Sequence, residues 1–83
     1  MNTAVSTSGS GHAVMPADQI LRVAQLDAGE AYGDLLQFRV TLTLTKDGWH
    51  VDYELKNPRL KGGGPHYIID AHTGTVISKR YEQ

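Results

Sequence analysis

The residue types used in acyl-transfer catalysis are all present, but their arrangement does not favour that chemistry. A serine nucleophile needs a histidine base and an orienting carboxylate in a fixed geometry. Ser78 is the only serine after residue 10, and no Gly-x-Ser-x-Gly pattern places a serine in the part of the chain expected to fold. The sequence therefore predicts no catalytic residues, and we expect a protein that is not an enzyme.

Three histidines, His50, His66 and His72, raise the question of a metal site. His66 and Asp70 lie on the same side of one predicted strand, but four residues of strand span about 13 Å, which is too far for one ion. His72 would approach His50 only if the order of the strands brought the two together. A cysteine-based zinc site is excluded because the chain has no cysteine. We predict exposed polar histidines, with no metal and no cofactor.

The run Gly62-Gly63-Gly64 is the third feature that could take part in binding or catalysis. Phosphate-binding loops present backbone amides at a helix N-terminus, with Lys and Ser or Thr following. Here Pro65 and a predicted strand follow, so the pattern does not favour phosphate. Two interpretations stay open. The run is either a flexible connection into the next strand or a loop that contacts a partner, as exposed loops on rigid scaffolds often do.

The charge balance argues against several classes of function. Lys plus Arg is 8 and Asp plus Glu is 9, a formal net charge of −1, and this argues against a basic nucleic-acid footprint over the whole domain.

No window approaches the roughly 20 apolar residues of a membrane helix. No basic region precedes a long apolar stretch, as it would in a secretory signal. We expect no membrane association and either a cytoplasmic or a periplasmic location.

The 83 residues are enough for one small domain. Residues 1–14 are rich in Ser, Thr, Gly and Ala without periodicity, so we predict a flexible tail there and a single domain over residues 15–83. A core of about 70 residues supplies only a few kcal/mol of net stability. Since no disulfide can form, dimerisation or a bound partner would add useful buried area, and a homodimer is one option.

A helix is predicted to begin near Met15-Pro16 and to stop at Gly33-Asp34. Proline is favoured at the first helical position, and Asp18 in the first turn complements the helix dipole. Gly29 falls inside the pattern, where the helix would end or bend. The apolar residues that recur at helical spacing are Ile20, Ala24, Ala28 and Ala31.

Two amphipathic strands joined by Lys46-Asp47-Gly48 predict an antiparallel hairpin. A loop from Asn57 to Pro65 and a second hairpin, turning at Gly74 with a positive φ, complete the chain. The predicted fold class is α+β, with one N-terminal helix packed on a four-stranded antiparallel β-meander. The alternating apolar residues of the first two strands are Leu36, Phe38, Val40, Leu42, Leu44, Trp49, Val51, Tyr53 and Leu55.

Four short motifs lie along the second half of the chain: Trp49-x-Val51, the run from Gly63 to Asp70, Thr73-Gly74-x-Val76-Ile77 and the ending Tyr81-Glu82-Gln83. Together they resemble the small bacterial NTF2-fold immunity proteins, and this resemblance implies a fold that is cystatin-like or NTF2-like in outline. That family has a tryptophan strand, a GG loop, a strand ending in an Asp-x-x-Thr-Gly turn and a final short strand. The resemblance covers roughly residues 16–83, and residues 49–77 are its distinctive part. The segment from Tyr67 to Gly74 is also similar to the hairpin of PepSY domains.

Both resemblances imply a non-enzymatic, protein-binding role. The immunity family implies an inhibitor that binds and blocks a toxin or hydrolase. The alternatives are a PepSY-type peptidase inhibitor or regulatory domain, and a small-ligand-binding NTF2-like domain. Affinity in protein complexes is concentrated in a few central residues. The predicted partner-binding residues are Arg59, Lys61, Gly62, Gly63, Gly64, His66 and Tyr81.

Overall fold

The computed structural model describes residues 13–60 and 62–81. In chain order the elements are α1 (Ala17–Tyr32), β1 (Phe38–Thr45), β2 (Gly48–Leu55), β3 (Pro65–Ile69) and β4 (Val76–Tyr81). The strands form one antiparallel sheet in the order β1-β2-β3-β4. The predicted α+β fold, one helix on a four-stranded meander, is confirmed. Within the described residues, no helix is long and apolar enough to cross a membrane.

Helix α1 presents a face of mostly small residues to the sheet. Ile20, Ala24 and Ala28 are fully buried, and the alanines allow the helix backbone to approach the strands closely. Gly29 does not interrupt the helix. The helix ends at Gly33, whose φ of 78° favours glycine and whose N–H donates to the Gly29 carbonyl at 2.9 Å.

The sheet separates apolar from polar side chains by alternation along each strand. On the inner face, which packs against α1, Val51, Tyr67 and Ile69 are buried, as are Phe38 and Tyr53. The rings of Phe38, Tyr53 and Tyr67 meet edge to face in succession. The opposite side of the sheet, the outer face, carries mostly polar residues. Sequence alternation had predicted this division between the two faces.

The turn between β3 and β4 is held by its own aspartate. The Asp70 Oδ1 atom accepts the N–H of Thr73 at 2.9 Å and the N–H of His72 at 2.8 Å. These two hydrogen bonds, the one from Thr73 foremost, lower the pKa of Asp70. Gly74 follows with a φ of 76°, as predicted. The Asp-x-x-Thr-Gly motif therefore has a local conformational explanation.

The segment before α1 is fixed to the sheet through Met15. Its N–H donates to the Ala71 carbonyl at 2.7 Å, and its carbonyl accepts the indole N–H of Trp49 at 2.9 Å. The carbonyl oxygen of Ala13 lies 3.4 Å from His72 Nδ1. Of the predicted tail over residues 1–14, residues 1–12 lie outside the described part of the chain.

Three residues differ from the predicted pattern. Leu36 lies in the turn before β1 and is 81% exposed, because its N–H donates to Asp34 Oδ1 at 2.9 Å and the turn delays the strand. Ala31 is exposed, and the neighbouring Tyr32 instead closes that end of the core with edge-to-face contacts to two further rings. Pro65 is buried as the first residue of β3, a position where a strand tolerates proline.

Candidate functional site

Cross-strand pairing arranges the outer face into rows of side chains. One row crosses the sheet through Thr43, His50, Ile68 and Ser78. The neighbouring row crosses it through Thr41, Asp52, His66 and Arg80. The polar residues that β2, β3 and β4 contribute to these rows form what we call the outer-face cluster: His50, Asp52, His66, Ser78 and Arg80.

The best-defined contact of the outer-face cluster joins β2 to β3. Asp52 and His66 are direct cross-strand partners, and Asp52 Oδ1 lies 2.7 Å from His66 Nδ1. The side chain of His66 is 19% exposed and that of Asp52 is 40% exposed. Since an ionised carboxylate only accepts hydrogen bonds, the imidazole Nδ1–H is the donor. His66, a predicted partner-binding residue, is therefore held in a fixed orientation on a strand.

Two nitrogen groups beside this pair have no partner among the described residues. Nε2 of His50 is buried and makes no hydrogen bond. Arg80 is exposed, lies directly across from His66, and forms no ion pair within residues 13–60 and 62–81. A buried polar atom without a partner costs about 1–3 kcal/mol. A ligand group that reached His50 would recover part of that cost.

Two shallow concavities flank His66. One, of about 210 Å³, lies over the outer-face cluster and is also lined by Ile68. The other, of about 290 Å³, lies where the end of β2 meets the following loop, and its lining includes Leu60, Gly62 and Gly63. Because His66 lines both concavities, the outer-face cluster and the loop that contains Gly62 and Gly63 form adjoining parts of one surface.

The predicted partner-binding residues of the loop are only partly brought together. Gly62, Gly63 and His66 line the same concavity, as the partner-contact interpretation requires. Arg59 is exposed in the preceding turn, where its N–H donates to Asn57 Oδ1 at 3.0 Å. Lys61 lies outside the described residues.

The other two predicted residues are accounted for by the architecture. Gly64 is buried, and a Cβ atom there would lie 2.6 Å from the Cβ of Tyr53, so packing requires glycine. Tyr81 lies on the inner face at the end of β4, on the side of the sheet opposite His66. Its hydroxyl donates to Asp27 Oδ2 at 2.5 Å. Neither role needs a partner.

A second polar cluster, which we call the Asp27 cluster, lies on the inner face and consists of Asp27, Tyr67, Lys79 and Tyr81. The Asp27 carboxylate accepts the Tyr81 hydroxyl, the Tyr67 hydroxyl at 2.7 Å and Lys79 Nζ at 3.0 Å. These hydrogen bonds, the one from Tyr81 foremost, lower the pKa of Asp27 to about 2. Burial, and then the bond to Asp27, raises the pKa of Tyr67. The cluster fastens α1 to β3 and β4.

Sequence reasoning missed several of these residues as candidates. Alternation places His50 and Asp52 on the outer face, but only the β2–β3 register shows that Asp52 meets His66. Lys79 and Arg80 look like one charged pair in the sequence, yet successive strand residues point to opposite faces. For Asp27 a signal was available, because a carboxylate at that position interrupts the apolar face of the predicted helix.

The outer-face cluster contains the side-chain types of a catalytic triad without all of the hydrogen bonds that join them in one. Ser78 lines the same concavity as the Asp52–His66 pair. A hydrolase would need its hydroxyl bonded to the imidazole, and the Ser78 hydroxyl makes no hydrogen bond to a described residue. Among residues 13–60 and 62–81, no group of three or more His, Asp or Glu side chains could hold a metal ion. The cluster offers a cation, a carboxylate, two imidazoles and a hydroxyl around the apolar side chain of Ile68.

No protein-family model, curated protein or solved structure matches this chain.

Proposed function

We propose that the protein is a non-enzymatic binding module, an immunity-type inhibitor that blocks a toxin or hydrolase with the outer face of its sheet. The observation that carries the proposal is the outer-face cluster. It holds two nitrogen groups, His50 Nε2 and the Arg80 guanidinium, that no described residue satisfies. The sequence resemblance of residues 49–77 to immunity proteins supplies the class of partner.

The rigidity of the cluster supports recognition of another protein. His50 and Asp52 lie on the central strand β2, His66 lies on the central strand β3, and the Asp52–His66 contact links the two strands. Side chains that are already ordered lose little conformational entropy when a partner binds. Beside them, Leu60 is 51% exposed and lines the loop concavity, where it offers apolar contact area.

The charges of the cluster indicate an acidic group on the partner. The guanidinium of Arg80 presents a planar set of donors that matches a carboxylate. The Ser78 hydroxyl and the His50 ring line the same concavity, and both hydrogen-bond to carboxylate oxygens in suitable protonation states. An Asp or Glu side chain of the partner therefore fits as the central anchor. Hydrolase active sites often contain such carboxylates, and covering one would block the enzyme.

A role in binding a small ligand inside the domain has weaker support. The space between α1 and the sheet is filled by buried side chains, among them Ile20, Val51, Tyr67 and Ile69. The two concavities beside His66 open to solvent, whereas small-molecule sites enclose most of their ligand. The PepSY-type alternative would use the same outer face against a peptidase, so the identity of the partner separates it from the immunity type.

The test uses the proteins encoded by the genes next to this one. Each is purified and titrated with this protein by calorimetry, and its toxic or hydrolytic activity is measured with and without it. We expect one of them to bind and to lose activity. Arg80→Ala should weaken binding by about tenfold or more. The matched control is Arg39→Ala, because Arg39 is an exposed arginine on the same face but on β1.

Three results would overturn the proposal. If no neighbouring protein binds, the immunity-type assignment is wrong. If Arg80→Ala and His50→Ala bind as tightly as the wild type, the binding surface lies elsewhere on the molecule. If the protein alone turns over an ester or peptide substrate, and His66→Ala abolishes the turnover, the non-enzymatic assignment is wrong.

A further inference from the structure

We infer that the free edge of β1 pairs with β1 of a second copy of this chain, giving a two-fold dimer with one continuous sheet. Strand β1 is an edge strand with no neighbour on its outer side among residues 13–60 and 62–81. Its eight residues pair with β2 without interruption, from Phe38↔Leu55 to Thr45↔Gly48. A long, regular edge of this kind is a template for another strand.

The backbone groups that face the free edge follow from the hydrogen bonding between β1 and β2. The Lys56 N–H donates to the Gln37 carbonyl at 2.9 Å, so these two residues form a hydrogen-bonded pair. Such pairs alternate along an antiparallel ladder. Thr41 and Thr43 therefore bond to β2. The residues between and beside them are Val40, Leu42 and Leu44. Their N–H and C=O groups therefore point towards the free edge of the sheet.

These outward groups are complementary to themselves. If two copies of β1 run antiparallel about a two-fold axis at Leu42, that residue pairs with its own copy and Val40 pairs with the copy of Leu44. Each of these pairs exchanges two backbone hydrogen bonds. The interface is therefore isologous, as in most closed dimers.

The side chains on the two faces fit the same pairing. On the inner face, Val40 and Leu42 are only partly buried and Leu44 is 47% exposed, because α1 packs mainly on β2 and β3. A second copy would bring the same apolar row against this one. On the outer face Thr41 would meet Thr43, a favourable cross-strand pair. Arg39, the only charged residue of β1, would meet Thr45, so no like charges are opposed.

The other edge of the sheet lacks these properties. The register between β3 and β4 is irregular, because Ile68 of β3 pairs with Ser78 and Ile69 pairs with Val76. Ile77 of β4 therefore has no cross-strand partner in β3. It also carries Lys79 and Arg80, and bulges and charges are the features that keep edge strands from pairing. The edge at β1 is therefore suited to pairing with another strand, whereas the edge at β4 is protected from it.

The oligomeric state tests the inference directly. Sedimentation equilibrium across a wide range of protein concentration should show a monomer–dimer equilibrium. Leu42→Lys places two ammonium groups opposite each other and should raise the dimer dissociation constant by about tenfold or more. Ile77→Lys, the same kind of change on the β4 edge, should leave the constant unchanged. A monomer at every concentration, or equal effects of the two variants, would overturn the inference.

Cross-linking tests the register and does not depend on Leu42→Lys folding. The chain has no cysteine, so single cysteines can be introduced. Leu42→Cys should form an intermolecular disulfide on oxidation, because opposed Cα atoms lie about 5.5 Å apart. Leu44→Cys should not, since the two copies of residue 44 would be about 13 Å apart along the strands. Faster cross-linking at position 44 would refute this register.

Hydrogen exchange identifies what covers the edge. The amides of Val40, Leu42 and Leu44 should gain protection as the protein concentration rises. Protection that is independent of concentration in a monomer would show that another part of the same chain covers β1, and a second copy would then be the wrong occupant.

Discussion

An aspartate lies against each face of the sheet, Asp27 of α1 on the inner face and Asp52 of β2 on the outer face. The two differ in how many of the polar groups around them have hydrogen-bond partners. On the inner face, Asp27 accepts hydrogen bonds from Tyr67, Lys79 and Tyr81, and its pKa is lowered to about 2. On the outer face, Asp52 bonds to His66, while His50 Nε2 has no partner among the described residues.

The role of each cluster follows from how many of its polar groups already have partners within the molecule. When every donor is directed at one acceptor within the molecule, the cluster stabilises the fold and offers little to a ligand. When buried or charged groups beside a solvent-facing concavity are left without partners, a ligand that binds there can recover part of their desolvation cost. We therefore assign the Asp27 cluster to stability, and we propose recognition of a partner as the role of the outer-face cluster.

The largest expected effect comes from removing each aspartate in turn. Asp27→Ala should lower the free energy of unfolding by about 2–3 kcal/mol, because the partly buried Tyr67 hydroxyl loses its acceptor and α1 loses its link to β4. Asp52→Ala should lower it by less than about 1 kcal/mol, as for other partly exposed ion pairs. Urea unfolding of both variants measures the difference, and equal losses would erase the distinction between the two clusters.

A smaller effect is expected from two neighbouring inner-face tyrosines. Tyr67→Phe removes the hydrogen bond to Asp27 and should cost about 1.5 kcal/mol. The hydroxyl of Tyr53 is buried and has no hydrogen-bond partner among residues 13–60 and 62–81, and burial raises its pKa. Tyr53→Phe should therefore raise the free energy of unfolding, by about 0.5–1 kcal/mol. If thermal and urea unfolding show a loss for Tyr53→Phe as large as that for Tyr67→Phe, hydrogen-bond satisfaction does not distinguish these residues.

The last expected effect is a pH dependence that belongs to Asp27. Its pKa is about 2 in the folded protein against 3.8 ordinarily, so its stabilisation is complete above about pH 4 and is lost as the pH falls towards 2. Its side chain is 30% exposed, so solvent reduces this contribution to about 1 kcal/mol. The stability difference between wild type and Asp27→Asn should shrink over that pH range. A difference that stays constant would mean that ionisation of Asp27 does not contribute.

Much of the fold could be predicted because its signals are local. The alternation in β1 and β2, the turn at Asp47-Gly48 and the positive φ at Gly74 are each set by neighbouring residues. The prediction that Leu36 belongs to the first strand is wrong, and the cause is again local. Leu36 satisfies the alternation, but the hydrogen bond from its N–H to Asp34 forms a turn there instead.

The candidate site could be predicted only in part. His66 and the glycines at 62 and 63 were identified and do line one concavity. Their main neighbours on the outer face, Asp52 and Arg80, are separated from His66 by 14 residues in each direction along the chain. Local sequence patterns carry no information about such pairs.

The sequence by itself determined the element types, their order and, for most strand residues, the face on which the side chain lies, because hydrophobic periodicity and turn chemistry depend on residues close in the chain. Tertiary structure alone decided the pairing register, and with it which groups meet. It directed Tyr67, Lys79 and Tyr81 to one carboxylate of the helix and left His50 and Arg80 without partners among the described residues. The physical reason is that hydrogen bonds between distant residues depend on distances that only strand pairing and helix packing set.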